Sequence, residues 1–491
     1  MHEDIATRRN KALKEFVDII NTYLLPLFDT RGSLKKVVIN TKNAHANTDL
    51  ITLEKEGDGT VVHFYPYIGT KEQPVPFYCK IGTYSTTALK RASVEIMREL
   101  LKVSMYDYHP PFSEKRHYGR NEAYNSSYKR RTLDLAFELG MCYSLTDTRS
   151  KHARVLHEVI CRMIEWSSRT YEGKNVPFGI VIDFSIPSTD RAVDYIHFLE
   201  NDCSAVFTDG IFTGILLDQK GKINSFITRD TIPRQNSKEQ TIFVPFQYAD
   251  IAKFCTGTAI GIIALTNGEI LLIKNQAVCF AKRGRKWVYF DWNLVYLKLR
   301  PYFIAAVEPD RIDKHTEYQI RNNIKSIYCT LLDVSFTHTG GCLAIVLPEN
   351  HERIDEIIKE RIDLYANGTS IDGLSASSKE KAQVLTYLLS YPESTMRSFF
   401  AVEKQLRREI LSLDGATVLS PDGSFYCAGS IVAVPGGSSG GGRTAAAKRL
   451  AQYGVGIKIS EDGYIEAWGA PITSPESTAS ISRTNRLFSF K

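Results

Sequence analysis

From about Pro177 onward the chain is cut into short, apolar, β-branched runs, and this constrains its fold more than any other feature. Phe178–Ile186, Ala205–Leu217, Phe226–Thr228, Ala259–Leu265, Ile270–Lys274 and Lys286–Asp291 are separated by Gly, Asn and Asp. Runs of this kind between turn formers read as buried strands. Further strands are expected at Cys342–Leu347, Ala416–Leu419, Ser424–Ala428, Gly456–Ile459 and Tyr464–Trp468. They alternate with helical patterns at Thr316–Leu331, Arg353–Leu364, Ser378–Leu389, Ser398–Ile410 and Thr444–Tyr453. Strands interleaved with helices define an α/β class, here a C-terminal mixed β-sheet flanked by helices. An α+β region precedes it, with a helix over the first thirty residues, strands at Val37–Asn40 and Thr60–Tyr67, and an amphipathic helix at Thr86–Met105.

The expected division is an N-terminal α+β regulatory region at 1–150, a sheet-rich α/β sensor-like domain at 151–315, and a third domain at 316–470. Residues 471–491 are rich in Ser, Thr and Arg and read as a flexible tail. A length of 491 residues has room for this number of cores. The longest apolar stretch, around Thr258–Leu265, falls far short of the roughly 18 residues of a membrane span. The charged start, Met1-His2-Glu3-Asp4, lacks a secretory apolar core, so a cytoplasmic chain without membrane partners is expected.

Charge and cysteine usage narrow the function further. Net charge is +6, from 61 basic and 55 acidic residues, too mild a surplus to signal a nucleic-acid binder. The Tyr/His/Arg-rich segment 106–130 has the composition of a single-strand-binding loop, with Arg116, Arg120 and Lys129 as its cations, but reads as a solvated connector. Nucleic acid is therefore not an expected partner. The nine cysteines are scattered with no C-x-x-C pair, and the histidines show no His-x-x-x-His spacing. Reduced, mostly buried thiols follow, and metal use by cysteine or histidine is not expected. His109, His117, His338 and His351 read as surface or satisfied residues.

Two stretches in the last third carry chemistry. Leu413-Asp414-Gly415-Ala416 runs from a helix end into a strand. Gly415 permits a turn and a close backbone approach, and Asp414 is placed to hold a divalent cation or orient a hydroxyl. Asp-Gly is also a common turn dipeptide. The second stretch, Gly436 to Lys448, is a Gly/Ser-rich loop feeding an Ala-rich helix. Backbone N–H groups at Gly441 and Gly442 and the positive helix end suit a phosphate, with Arg443 and Lys448 as cationic donors. The spacing is not that of a Walker A loop, because Gly442 is followed by Arg443 and not by Lys.

Taken in order, Asp414-Gly415-Ala416, Cys427-Ala428-Gly429, Gly442-Arg443-Thr444, the Ala-rich helix and Ser460-Glu461-Asp462-Gly463 resemble the diadenylate cyclase domain of DisA-type proteins. Thr339-Gly340-Gly341 with the apolar run after it resembles that domain's first core strand, and Gly368 to Gly373 the small-residue segment after its first helix. The likeness spans roughly residues 320–470. It implies a domain that binds ATP with Mg²⁺ or Mn²⁺ and condenses two ATP into cyclic di-AMP and pyrophosphate. It also implies a homodimer or higher homo-oligomer through facing cyclase domains, regulated by the N-terminal region. Catalytic roles fall on Asp414, Gly415, Ala416, Arg443 and Thr444, with Asp414 as the metal-binding residue. ATP and phosphate binding fall on Gly441, Gly442, Arg443, Thr444, Lys448, Ser460 and Glu461. The family's Arg-His-Arg element is here Arg443-Thr444-Ala445, so one phosphate clamp is missing. Lys448 is the expected substitute. Ala445 favours the rival reading, a nucleotide or cyclic-dinucleotide sensor that does not turn its ligand over.

Upstream, Asp209-Gly210-Ile211 with its following strand and turn echoes Asp414-Gly415-Ala416. No Gly-rich loop follows it, and a coincidental β-turn is the simpler expectation.

Overall fold

The computed structural model describes Asp18, parts of 92–100, and residues 38–39, 51–56, 59–64, 77–81, 126–147, 150–171, 174–189, 193–194, 208–231, 242–308, 311–360, 376–390, 397–434, 441–472 and 484–491. The remainder of the expected N-terminal helix, residues 106–125 of the loop expected at 106–130, the segment 368–373 and most of the Gly/Ser run at 436–440 lie outside these; residues 126–130 of that expected loop, Lys129 among them, are helical and not a connector. The chain forms two compact units, Met1–Gln240 with Asp250–Phe290, and Thr241–Ala249 with Asp291–Lys491. Both are mixed α/β structures.

In the first unit, strands β1 (Val38–Ile39), β2 (Ile51–Glu56), β3 (Gly59–Phe64) and β4 (Phe77–Ile81) form a small antiparallel sheet in the order β1-β4-β3-β2. Helices α1 (Ser126–Leu145) and α2 (Ser150–Ser167) follow, then a two-stranded ribbon of β5 (Thr170–Tyr171) and β6 (Lys174–Asn175). The main sheet contains β7 (Phe178–Asp183), β8 (Val193–Asp194), β9 (Gly214–Leu217), β10 (Lys222–Ile227), β11 (Ala259–Ala264), β12 (Ile270–Lys274), β13 (Ala277–Arg283) and β14 (Lys286–Tyr289). A short helix α3 (Ala249–Ala252) precedes β11. The strand order is β14-β13-β12-β11-β7-β9-β10-β8, with β7 and β9 the one parallel pair. Every residue of β11 is buried, which is why it reads as an unbroken apolar run. Leu156, Ile160 and Met163 of α2 share a core with Ile180, Ile182, Ile260 and Ile262.

The second unit has helices α4 (Trp292–Ile304), α5 (Lys314–Thr337), α6 (His351–Asp355), α7 (Ala376–Ser390), α8 (Lys404–Leu411) and α9 (Gly442–Leu450). Its strands are β15 (Gly341–Val346), β16 (Ile358–Glu360), β17 (Ala416–Leu419), β18 (Phe425–Val432), β19 (Gly454–Ile459), β20 (Ile465–Gly469) and β21 (Asn485–Phe490). They pair in the order β16-β18-β17-β15-β19-β20-β21, and only β15 and β17 run parallel. Two expectations fail here. The helix over Arg353–Leu364 stops at Asp355, and Ile358 pairs with Val432 at the sheet edge. The tail expected at 471–491 ends in β21, whose Leu487, Phe488 and Phe490 are buried against β20.

α4 lies in this unit, upstream of the expected start at 316, because its aromatic face is used there. Trp292 stacks on Phe243 at 4.5 Å, and the Tyr302 hydroxyl donates to the Ala470 carbonyl at 2.6 Å. The Phe246 N–H donates to Asp333 of α5 at 2.7 Å. Burial pushes the Asp333 carboxyl up to about 6, against the pull of that N–H and of Lys404, Arg408 and Arg407. The native state therefore holds its proton more tightly than an unfolded chain with an ordinary value near 3.9. Stability from this group is complete below about pH 4 and is lost as pH rises through about 6, a loss of about 3 kcal/mol. Asp333→Asn keeps an acceptor for Phe246. It is expected to raise the thermal midpoint at pH 8 and to leave it near wild type at pH 4, measured by calorimetry at both.

The two main sheets repeat one topology. Read outward from the parallel pair, β9-β10-β8 corresponds to β17-β18-β16, and β11-β12-β13 to β19-β20-β21. A long helix precedes the first strand in each, and a helix precedes β11 as it precedes β19. Asp209-Gly210 stands before β9 where Asp414-Gly415 stands before β17. The Asp209 echo is thus part of a repeated architecture and not a stray turn.

Candidate functional site

The register of β15 fixes which ends of the second unit's strands come together. Gly341 pairs with Ile459, so the start of β15 lies beside the end of β19. β17 begins on the same side because it is parallel to β15. α9 precedes β19 and packs along it, so its N-terminus lies at this end too. The Asp414-Gly415 turn, the Gly441–Arg443 helix start and the Ser460–Gly463 turn are consequently gathered at one edge of the sheet.

Glycine makes the turn before β17 possible. Gly415 has φ +105°, and a Cβ there would stand 2.5 Å from the Gly429 carbonyl carbon. The turn is pressed onto β18, with Asp414 exposed at its apex. Ala416 is 1% exposed and belongs to the core, so it offers the site no more than backbone.

The C-terminal end of α5 ties the neighbouring loops together. His338 caps the helix in a left-handed conformation (φ 56°), and its Nδ1 donates to the Glu461 carbonyl at 2.7 Å. Ser335 donates to the Gly463 carbonyl at 2.5 Å, and the Thr339 and Ser412 hydroxyls are 2.7 Å apart. Gly340, also at positive φ (+70°), leaves the space taken by the Arg443 guanidinium, whose Nη1 would lie 2.5 Å from a Cβ there. These residues were not found in the sequence as site formers. The Gly340-Gly341 pair directly before an apolar strand was the available signal.

Arg443 Nη1 donates to Glu461 Oε1 at 2.8 Å, with the two side chains 30% and 72% exposed. Glu461, expected among the phosphate-binding residues, is therefore the counter-ion of the cation expected to hold phosphate. Such an exposed pair contributes at most about 1 kcal/mol and yields to a stronger anion. The Arg443 charge also reaches the start of β15. Burial pushes the Cys342 thiol up to about 12, and Arg443 opposes that shift. Gly441 (φ +86°) caps α9 without a side chain, and Gly442 has open space where a Cβ would be. Thr444 is buried. The Ser460 hydroxyl donates within its own turn, to the Tyr464 carbonyl at 3.2 Å.

Lys448 does not join this group. Its ammonium lies 5.4 Å from the centre of the Trp468 ring, a cation–π contact. At about 100° per residue, a position five residues beyond Arg443 is turned about 140° around the helix. The expected replacement for the missing second arginine is therefore directed elsewhere, and Ala445 supplies no donor.

A divalent cation at Asp414 would have one protein carboxylate. Among the described residues, no group of three His, Cys, Asp or Glu ligands lies at this end of the sheet. That suits Mg²⁺ or Mn²⁺ carried in on substrate phosphates, and does not suit a dedicated protein cage. At the corresponding place in the first unit, the Asp209 carboxylate is engaged. Its Oδ1 accepts from the N–H groups of Ile211, Phe212 and Thr213 and from the Thr213 hydroxyl, at 2.8–3.0 Å. Partial burial opposes its charge, but these donors prevail and hold the carboxyl below its ordinary value.

No protein-family model, curated protein or solved structure was found that matches this chain. No described helix is long and apolar enough to cross a membrane.

Proposed function

We propose that the second unit is a nucleotide-condensing module of the diadenylate cyclase type, joining two ATP into cyclic di-AMP or a related cyclic dinucleotide with release of pyrophosphate. One observation carries this reading: the Asp414-Gly415 turn and the Gly441–Arg443 helix start, distant in sequence, share one edge of the sheet. In such a reaction a ribose 3′-hydroxyl attacks an α-phosphate in line with the departing pyrophosphate. Catalysis is then mostly positioning and neutralisation of charge. Arg443 and the first N–H groups of α9 would hold phosphate oxygens, and Asp414 would orient the attacking hydroxyl. Mg²⁺ or Mn²⁺, bound with the nucleotide, supplies further neutralisation. The second ATP calls for a second copy of this unit, hence a homodimer or larger assembly, because the equivalent turn in the first unit has Asp209 committed to its own backbone.

A second reading is favoured by the Arg443–Glu461 ion pair and by Lys448 lying on Trp468. With one guanidinium left for phosphates, the module would bind a nucleotide or cyclic dinucleotide without converting it. Mass spectrometry of reactions with all four nucleoside triphosphates and Mn²⁺, wild type beside Asp414→Asn, separates the two. A cyclic dinucleotide from wild type alone is expected. No product from either protein, with ATP binding still seen by calorimetry, would replace the enzyme with the sensor.

A further inference from the structure

The first unit holds a cluster that has no part in the nucleotide chemistry above. On α2, His157 and Cys161 are four residues apart and share a helix face, with Nε2 and Sγ separated by 3.7 Å. Glu138 of α1 faces them, and one donor atom from each of the three residues lies within 4.8 Å of the others. We propose that Glu138, His157 and Cys161 form a three-ligand site for a borderline-soft divalent cation, zinc foremost, with its fourth position open to water.

Geometry and donor chemistry agree. With zinc–sulfur near 2.3 Å and zinc–nitrogen near 2.0 Å, tetrahedral ligands place sulfur and nitrogen about 3.5 Å apart. The observed 3.7 Å between sulfur and nitrogen needs almost no rearrangement, and the Glu138 oxygen, grouped with them within 4.8 Å, closes in by up to about 1 Å on binding. A thiolate, imidazole and carboxylate set suits zinc or cobalt and is poorly matched to Mg²⁺ or Ca²⁺, which prefer oxygen alone. His157 Nε2 faces the Cys161 sulfur at 3.7 Å, so the neutral ring in the matching tautomer presents its lone pair to the same point. Burial, reinforced by Glu138 and Glu165, pushes the Cys161 thiol up to about 11. Binding would break the S–H bond, form the metal–sulfur bond and release the proton to solvent.

The carboxylate has the outer support that metal ligands require. Glu138 is 4% exposed, and its Oε1 accepts from Lys282 Nζ at 2.6 Å and from the Trp287 indole N–H at 3.0 Å. These two donors fix the carboxylate plane and leave lone pairs for a cation. Lys282 alone would account for the charge of Glu138. It would not account for a thiol and an imidazole facing the same carboxylate. His157 and Cys161 are partly exposed, which gives an ion and a fourth, water ligand a way in. In the sequence the signal is the mixed His-x-x-x-Cys spacing of His157 and Cys161, which is neither a histidine pair nor a cysteine pair.

The test is titration of the full chain with Co²⁺, followed by absorption. The expected result is one equivalent bound, with a near-ultraviolet thiolate-to-cobalt band and the visible bands of tetrahedral cobalt, both abolished by Zn²⁺. Cys161→Ser is expected to lose the near-ultraviolet band and to weaken binding by about tenfold or more. His157→Gln is expected to weaken it similarly while keeping the band. Circular dichroism checks that each variant is folded, and either folded variant suffices. A folded wild type without the thiolate band, or a Cys161→Ser titration matching wild type, overturns the assignment.

Discussion

Arg443→Ala is expected to lower kcat/KM for cyclic dinucleotide formation by about 10²–10³-fold, the usual cost of removing one donor aimed at developing charge. The effect should be large because Ala445 offers no donor and Lys448 is held over Trp468, so neither takes over. Arg443→Lys should recover only part of the loss, since an ammonium replaces the two-pronged guanidinium grip with a point charge. The fold should be indifferent to either change, because the broken ion pair with Glu461 is exposed and contributes little stability. Steady-state rates measured beside thermal midpoints decide the matter. Unchanged rates, or a fall in midpoint that accounts for the lost rate, would remove Arg443 from the phosphate site.

The strands were readable where burial is complete. β11 and β15 are buried at every residue and β12 at all but its final Lys274, and continuous apolar runs are the result. The short edge elements were not. Ile354, Ile357 and Ile358 have helical spacing, yet Ile358 is taken by β18, a pairing no local pattern encodes. β21 was hidden behind the polar stretch before it, although Leu487, Phe488 and Phe490 alone mark a buried edge.

At the site, the sequence showed the residue types but not their directions. Asp414, Gly415 and Arg443 stood out because glycine beside a charged residue at an element boundary is conspicuous. The roles of His338 and Glu461 depend on β15 and β19 being antiparallel neighbours, a tertiary fact. The repeated topology was nearly invisible for a related reason. A fold repeats through its pattern of buried faces, whereas Asp209 and Asp414 share only a turn. Asp209 is enclosed by four donors and is partly buried, whereas Asp414 stands at an exposed apex, so the shared turn sits in two different surroundings.

The proposed phosphate role asks position as well as charge of Arg443, and Gly456 of β19 sets the position of its helix. A Cβ at Gly456 would overlap the Ala447 carbonyl oxygen and stand 2.7 Å from its carbon. The absence of a side chain is therefore what lets α9 lie directly on the sheet, burying Ala447 and Leu450 completely. β19 cannot yield, because it is bonded on one side to β15 and on the other to β20, with Gly456 facing Ala344 and Trp468. In Gly456→Ala the helix must lift, at an overpacking cost of about 3 kcal/mol. At about 2–4 °C per kcal/mol for a unit of this size, the midpoint should fall by about 6–12 °C. Arg443 lies one turn before Ala447 on the same helix, so ATP affinity should fall with it. Gly442→Ala is the matched control. It adds the same methyl group to the same helix where nothing lies within 4 Å, and should leave the midpoint close to wild type. Differential scanning calorimetry of the three proteins decides between the alternatives: if Gly456→Ala melts with wild type, α9 is not seated by this glycine, and the placement of Arg443 must have another cause.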